Sequence, residues 1–218
     1  VTPTSPEIST STETSIISTI CSNSLIPSTV NNLNTKCVPP CNNILNNKQY
    51  ENLSLCLLNI RSLACPDHTV FVHDLCETYK FSIVAICETW LSSKNSPSEL
   101  INIMPKGYDM ILQNRDSILP GGKGGGLAIF LRQPCKISTQ KALNYSSFET
   151  LASSIVFGSF TLHVVVVYRL PDFSTYAKPF SNFLSEFSDL LMSLTSTKSD
   201  FLILGDLNIH LDQLLNPQ

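Results

Sequence analysis

The chain has 218 residues, 43% hydrophobic and 14% charged, with 14 Lys and Arg against 17 Asp and Glu and a formal net charge of −3. That balance is globular and sufficient for one domain of ordinary size, and it excludes nucleic-acid binding through bulk positive charge, leaving open a local basic rim aided by metal ions. No apolar run reaches membrane-spanning length, and no basic segment followed by an apolar one opens the chain, so neither a transmembrane helix, a signal peptide nor a membrane partner is expected.

Residues 1–50 are dominated by Ser, Thr, Asn and Pro. They offer too little apolar surface to offset the entropy of ordering, which predicts a disordered leader ahead of a domain over 51–218. Of the eight cysteines, Cys56, Cys76 and Cys87 lie in apolar segments and read as small buried hydrophobes. Cys37 and Cys41 have no second Cys or His pair at zinc spacing, and no regular disulfide framework is evident, which points to a reducing compartment, nucleus or cytoplasm.

Order is expected from Leu53. Leu53–Leu58 reads as a strand ending at Asn59. Asp67–Lys80 reads as an amphipathic helix with Phe71, Leu75 and Tyr79 at four-residue steps, Val72 and Cys76 beside them, and Asp67 able to cap the first turn. Ser82–Cys87 is a second buried strand, ending at Glu88. Strand, helix, strand over this length predicts parallel pairing, with Asn59 and Glu88 at one edge of an α/β sheet. Residues 91–107 read as loop, and Tyr108–Gln113 as a short strand. The glycine-rich run from Gly121 to Gly126 has no Lys-Ser/Thr pair after it and enters a strand, Leu127–Arg132. It therefore reads as a flexible turn, with Lys123 facing a phosphate backbone, and not as a P-loop.

Phe148–Phe157 and Phe160–Tyr168 are predicted to form a hairpin about Gly158-Ser159. Helical periodicity returns from Ser174 to Ser196, with Phe180, Phe183, Leu184, Phe187, Leu190, Leu191 and Leu194 in one stripe and Pro179 in the first turn. A last buried strand starts at Phe201 and meets a sharp break at Gly205, followed by Asp206, Leu207 and Asn208.

Four strands thus end in polar groups: Asn59, Glu88, Tyr168 with Arg169, and Asp206 with Asn208. One such ending is an ordinary turn. Four, with two helical crossovers that can return the chain to one edge, predict a shared cleft. The residue types suit a phosphodiester. A lone carboxylate such as Glu88 can hold Mg²⁺ together with phosphate oxygens, and Asp206 can accept a proton from an attacking water. The amides of Asn59 and Asn208, with Tyr168 and Arg169, can donate to phosphate oxygens. His68, His73, His163 and His210 each have an ordinary structural reading.

Five segments stand in the order seen in the endonuclease/exonuclease/phosphatase superfamily: NIRSL (Asn59–Leu63), ICETWL (Ile86–Leu91), GGGLAIF (Gly124–Phe130), VYRLP (Val167–Pro171) and ILGDLNIH (Ile203–His210). The chain most resembles the apurinic/apyrimidinic-like endonuclease domain of LINE-type non-LTR retrotransposons. That resemblance implies a four-layer α/β (α+β) sandwich, two packed β-sheets flanked by helices. It implies Mg²⁺-dependent phosphodiester cleavage, with Mn²⁺ as a substitute, no small-molecule cofactor, and DNA as the partner. In the retrotransposon relatives the nick leaves a 3′-hydroxyl that primes an attached reverse transcriptase. By the same resemblance the catalytic residues are Asp206, Asn208, Tyr168 and Asn59, the metal ligands Glu88 and Asn59, and the phosphate- or DNA-binding residues Arg169, Arg61 and Lys123. Leu170 stands where relatives often carry a second proline. The family's closing Ser-Asp-His has no counterpart after Asp212, so the sequence reads as a copy incomplete at the C-terminus. Two other readings stay open: an inactive relic or binding module of the same fold, and a phospholipid or inositol-phosphate phosphodiesterase.

Overall fold

Strands that are apolar at every position need cover on both faces, and two packed sheets with helices outside them provide it. The computed structural model describes residues 34–37, 53–114, 124–141, 143–172, 174–197 and 199–209. One sheet orders β1 (Asn34–Cys37), β2 (Leu55–Asn59), β3 (Ile83–Cys87), β5 (Leu127–Arg132) and β4 (Tyr108–Gln113). The other orders β6 (Lys136–Lys141), β7 (Glu149–Phe157), β8 (Phe160–Tyr168) and β9 (Phe201–Asp206).

Side-chain alternation builds the layers. Along β3, Ile83, Ala85 and Cys87 join the core between the sheets, while Val84 and Ile86 pack with residues of α1 (Pro66–Tyr79) and α2 (Pro97–Ile103). Along β8, Leu162, Val164, Val166 and Tyr168 face the inter-sheet core, while Val165 and Val167 pack with α3 (Phe180–Thr195). The order is helix, sheet, sheet, helix, the four-layer sandwich that the resemblance implied. Cys56, Cys76 and Cys87 are all buried, as expected.

β2 and β3 are parallel, with Asn59 opposite Cys87, and β8 and β9 are parallel, with Tyr168 opposite Asp206. Parallel pairs deliver both C-terminal ends to the same side, so Asn59 and Glu88 share an edge in one sheet, as do Tyr168 and Asp206 in the other. The predicted hairpin forms, with Phe157 opposite Phe160 and their rings stacked at 5.4 Å.

Several expectations need correction. On α1 the buried residues are Val72, Leu75 and Cys76, while Tyr79 is 56% exposed. Four-residue steps overshoot the helical repeat by about 40° each, so a stripe drawn through Phe71, Leu75 and Tyr79 drifts off the core face. The same drift exposes Leu184 on α3, where Phe183 and Leu190 are buried. The N-cap of α1 is Cys65, and Asp67 lies in the first turn without capping it; Pro179 is the N-cap of α3 and not part of its first turn.

Three elements were not expected at all. α2 falls in the predicted 91–107 loop, started by a capping box between Ser96 and Glu99 with Pro97 in the first turn. β6 is an edge strand opened by the exposed Lys136, which discourages further pairing. β1 lies inside the predicted leader, antiparallel to β2. Backbone groups make that pairing, which side-chain composition does not forecast. The leader's other residues, with Lys123 and His210, lie outside the described residues. Finally, β9 continues through Gly205 to Asp206, so this glycine does not break the strand.

Candidate functional site

The loops leaving the parallel strands are fastened to one another before any side chain contributes. Ile60 N donates to Cys87 O at 3.1 Å, Ser62 N to Glu88 O at 2.8 Å and Leu63 N to Thr89 O at 2.8 Å. The glycine run adds a third segment, with Thr89 N on Gly126 O at 3.1 Å and Trp90 N on Gly125 O at 2.9 Å. Six non-glycine residues have positive φ among the described residues. Lys80 closes α1; the others are Arg61 (48°), Ser62 (99°), Glu88 (58°), Trp90 (55°) and Asn208 (47°), all just beyond strand ends. Each such conformation costs on the order of 1–3 kcal/mol and persists only where its surroundings over-determine it.

Asn59 organises the side chains. Its Nδ2 donates to Glu88 Oε1 at 2.7 Å and to Asp206 Oδ2 at 2.9 Å, linking the two sheets. Turning the amide over would set its oxygen against two carboxylates, so charge selects this orientation. Oδ1 is left buried with no hydrogen-bond partner among the described residues. The expectation that the Asn59 amide donates to phosphate is therefore corrected: its donor is committed to carboxylates, and its oxygen is the group on offer. Tyr168 OH donates to Glu88 Oε1 at 3.0 Å, and Trp90 Nε1 to Glu88 Oε2 at 3.3 Å. Burial, reinforced by Glu88, pushes the Tyr168 hydroxyl far above the ordinary tyrosine range, so it stays a protonated donor. Asp206 Oδ1 accepts from Asn208 N at 3.1 Å, and Asn208 Nδ2 donates to Arg169 O at 2.6 Å. Asn59, Glu88, Tyr168, Asp206 and Asn208 thus form one connected network.

Arg169 is placed otherwise. It is 2% exposed, and its Nη1 donates to the carbonyls of Leu207 at 3.4 Å and Asn208 at 3.2 Å. Its Nη2 pairs with Asp172, and its guanidinium lies 5.0 and 5.4 Å from the ring centroids of Phe180 and Phe183. This fork is spent inside the fold, so Arg169 braces the segment after β9 and is not the expected phosphate ligand. Arg169→Met is expected to lower stability by about 2–4 kcal/mol in urea melts, since buried carbonyls lose their donor. Arg169→Lys should recover little, because three N–H groups on a single nitrogen cannot reproduce the planar fork whose two nitrogens reach separate acceptors; a fully stable lysine variant would remove the bracing role. Arg61 is exposed on the loop after Asn59.

Glu149 was missed. It opens β7, is 3% exposed, stands opposite Tyr168, and accepts from Gly126 N at 2.7 Å. Through Gly126 it supports the loop carrying Glu88. Gly124, Gly125 and Gly126 all have positive φ, and a Cβ on Gly126 would lie 2.5 Å from Thr89 Oγ1. Over Gly124–Gly126 the run follows a specified path and is not merely a flexible turn, and its earlier residues lie outside the described ones. An acidic residue just inside the start of a predicted strand was the available signal for Glu149.

Among the described residues, no cationic side chain pairs with Glu88 or Asp206. The groups able to donate to a cation are oxygens: the Glu88 and Asp206 carboxylates, which already accept hydrogen bonds, and the orphaned Asn59 Oδ1. No cluster of three or more His, Cys, Asp or Glu suited to a metal occurs among the described residues. A set of few, hard oxygen donors fits a cation that keeps waters and takes phosphate oxygens, not a closed structural zinc site.

The family model described as the Endonuclease/Exonuclease/phosphatase family matches residues 52–216. No curated protein matches the chain. D. rerio TDP2 complexed with single strand DNA product superposes with a TM-score of 0.53 at 14% identity, over 72% of this chain and 61% of that one. The human Nocturnin catalytic domain with bound sulfate anion gives 0.50 at 12% identity, over 73% and 67%. A Bacteroides thetaiotaomicron mannosyl-6-phosphatase gives 0.53 at 17% identity, over 72% and 66%. At such identities the likeness is one of fold. The chain spans 61% to 63% of the length of the D. rerio TDP2 chains it matches.

Proposed function

The chain belongs to the Endonuclease/Exonuclease/phosphatase family, and on that footing we propose that it hydrolyses DNA phosphodiesters with Mg²⁺, as a retrotransposon-type nicking endonuclease. The observation that carries this reading is the buried Asn59 Oδ1, left without a donor beside the Glu88 and Asp206 carboxylates. Glu88 and Asn59 Oδ1 would hold Mg²⁺, or Mn²⁺, which when bound neutralises charge developing on the phosphate.

The remaining roles follow from the side chains themselves. Asp206, oriented by Asn59 Nδ2 and Asn208 N, holds the attacking water and takes its proton. Water oxygen bonds to phosphorus as the bond to the 3′-oxygen breaks, and the departing 3′-oxygen takes a proton from solvent, leaving a 5′-phosphate and a 3′-hydroxyl. Tyr168 keeps its proton and fixes Glu88 by donating to it. Arg61 and Lys123 are proposed to meet the flanking backbone. In a longer element, the 3′-hydroxyl would serve an attached reverse transcriptase, in the nucleus or cytoplasm. The D. rerio TDP2 structure with single strand DNA product makes DNA the first substrate to try.

The mannosyl-6-phosphatase neighbour supplies the competing reading. Supercoiled plasmid and mannose 6-phosphate, each with Mg²⁺ and with EDTA, separate the two. Nicked circles in Mg²⁺ alone are expected. Phosphate release with intact plasmid would move the chain to the phosphatases, and folded protein active on neither would be an inactive binding module.

A further inference from the structure

Among the described residues, Trp90 is the one large aromatic at the site that the fold does not use. Its φ is +55°, in the left-handed region where a bulky side chain is an outlier. The conformation is held from both sides. Trp90 N donates to Gly125 O at 2.9 Å, Thr89 N donates to Gly126 O at 3.1 Å, and the next residue, Leu91, is buried at 1% exposure. The result is an indole left 43% exposed immediately after Glu88. Its single polar atom, Nε1, is tied to Glu88 Oε2 at 3.3 Å, which anchors one edge of the ring. Among the described residues no second aromatic ring or cation stacks on it.

From this geometry we infer that Trp90 is a stacking platform for the nucleobase beside the scissile phosphate, and so selects nucleotide substrates over sugar and inositol phosphates. The inference rests on the nucleic-acid reading proposed above. The indole is pinned to the side chain that meets the phosphate group, so its free face lies within reach of what the phosphate carries. With Nε1 already bonded, that face offers only apolar π surface. A base stacks on such a surface whatever its identity. A sugar ring's hydroxyls would need hydrogen-bond partners that the face does not have.

Trp90 is the sole tryptophan of the chain, so intrinsic fluorescence reports on this residue alone. The full chain is titrated in EDTA with a 12-nucleotide single-stranded DNA and with an abasic oligomer of equal length, and binding is followed separately by anisotropy of labelled copies. Quenching by the base-bearing strand and none by the abasic one is expected. Trp90→Ala should weaken binding of the base-bearing strand about tenfold, within the range found for stacking aromatics, and leave the abasic strand unchanged. Trp90→Phe should retain most of the affinity. DNA that binds without quenching, equal weakening of both strands, or equal quenching by mannose 6-phosphate overturns the inference while leaving DNA hydrolysis standing. Quenching without nicking upholds it and removes hydrolysis. Failure of both strands to bind overturns the inference, and the plasmid assay in Mg²⁺ then decides hydrolysis separately.

Discussion

Glu88→Gln is expected to lower Mg²⁺-dependent plasmid nicking by about a thousandfold or more, and adding Asn59→Ala to it is expected to lower the rate hardly further. The reason is that the two residues act as one device. Asn59 Nδ2 holds Glu88 at 2.7 Å and Asp206 at 2.9 Å, and its oxygen is the second donor proposed for the cation. Asn59→Ala alone therefore loses a ligand and also releases two carboxylates that repel each other. Groups that work as a unit show strongly non-additive losses, each single change removing most of what the set achieves. Initial nicking rates of wild type, both single variants and the double variant complete the cycle. Multiplicative losses would mean that Asn59 and Glu88 act separately, and the shared-site reading would be wrong. Tyr168→Phe belongs to a milder class, since Tyr168 fixes Glu88 through one bond of 3.0 Å while Asn59 and Trp90 still hold it.

Much of this arrangement was legible in the amino-acid sequence, because burial on both faces writes strands as unbroken apolar runs. Leu127–Arg132 has the bounds that its run predicts, and Tyr108–Gln113 and Phe160–Tyr168 also have the predicted bounds although Asp109, Thr161 and His163 interrupt them. The network residues were legible because each follows such a run. What failed was information that the run does not carry. Lys136–Lys141 is held by its neighbour's backbone and shows no apolar signal. The Ser96–Glu99 capping box was visible, yet seven helical residues are too few to establish a period. Arg169 was misassigned although strand alternation already opposed it. With Val164, Val166 and Tyr168 turned toward the inter-sheet core, Val165 and Val167 turn toward α3, and residue 169 continues that outer series. Glu149 becomes a neighbour of Tyr168 only once β7 and β8 are in register, and the orphaned oxygen of Asn59 exists only after two carboxylates from different sheets have claimed its amide.

Gly205→Ala should produce the largest loss of stability, at least about 3 kcal/mol, and with it the loss of the site. A Cβ on Gly205 would stand 2.0 Å from Val167 O and 2.8 Å from Val167 C. Overpacking by a side chain usually costs about 1–3 kcal/mol because neighbouring side chains move aside. Here the obstacle is backbone of the paired strand, so β8 and β9 must separate where Val167 meets Gly205. The next pair along is Tyr168 with Asp206, so the same displacement carries both away from Glu88 and Asn59. Glycine thus stands here for close approach of two backbones, not for a turn. Gly158→Ala is the control: its φ is +59° and nothing lies within 4 Å of its Cβ, so only the backbone penalty of about 1 kcal/mol applies. Urea melts of the two variants compare a steric obstacle between paired strands with a conformational one in a turn. If Gly205→Ala proved no less stable than Gly158→Ala, the close contact between β8 and β9 would be refuted. The position of Asp206 beneath Asn59 would then need another explanation.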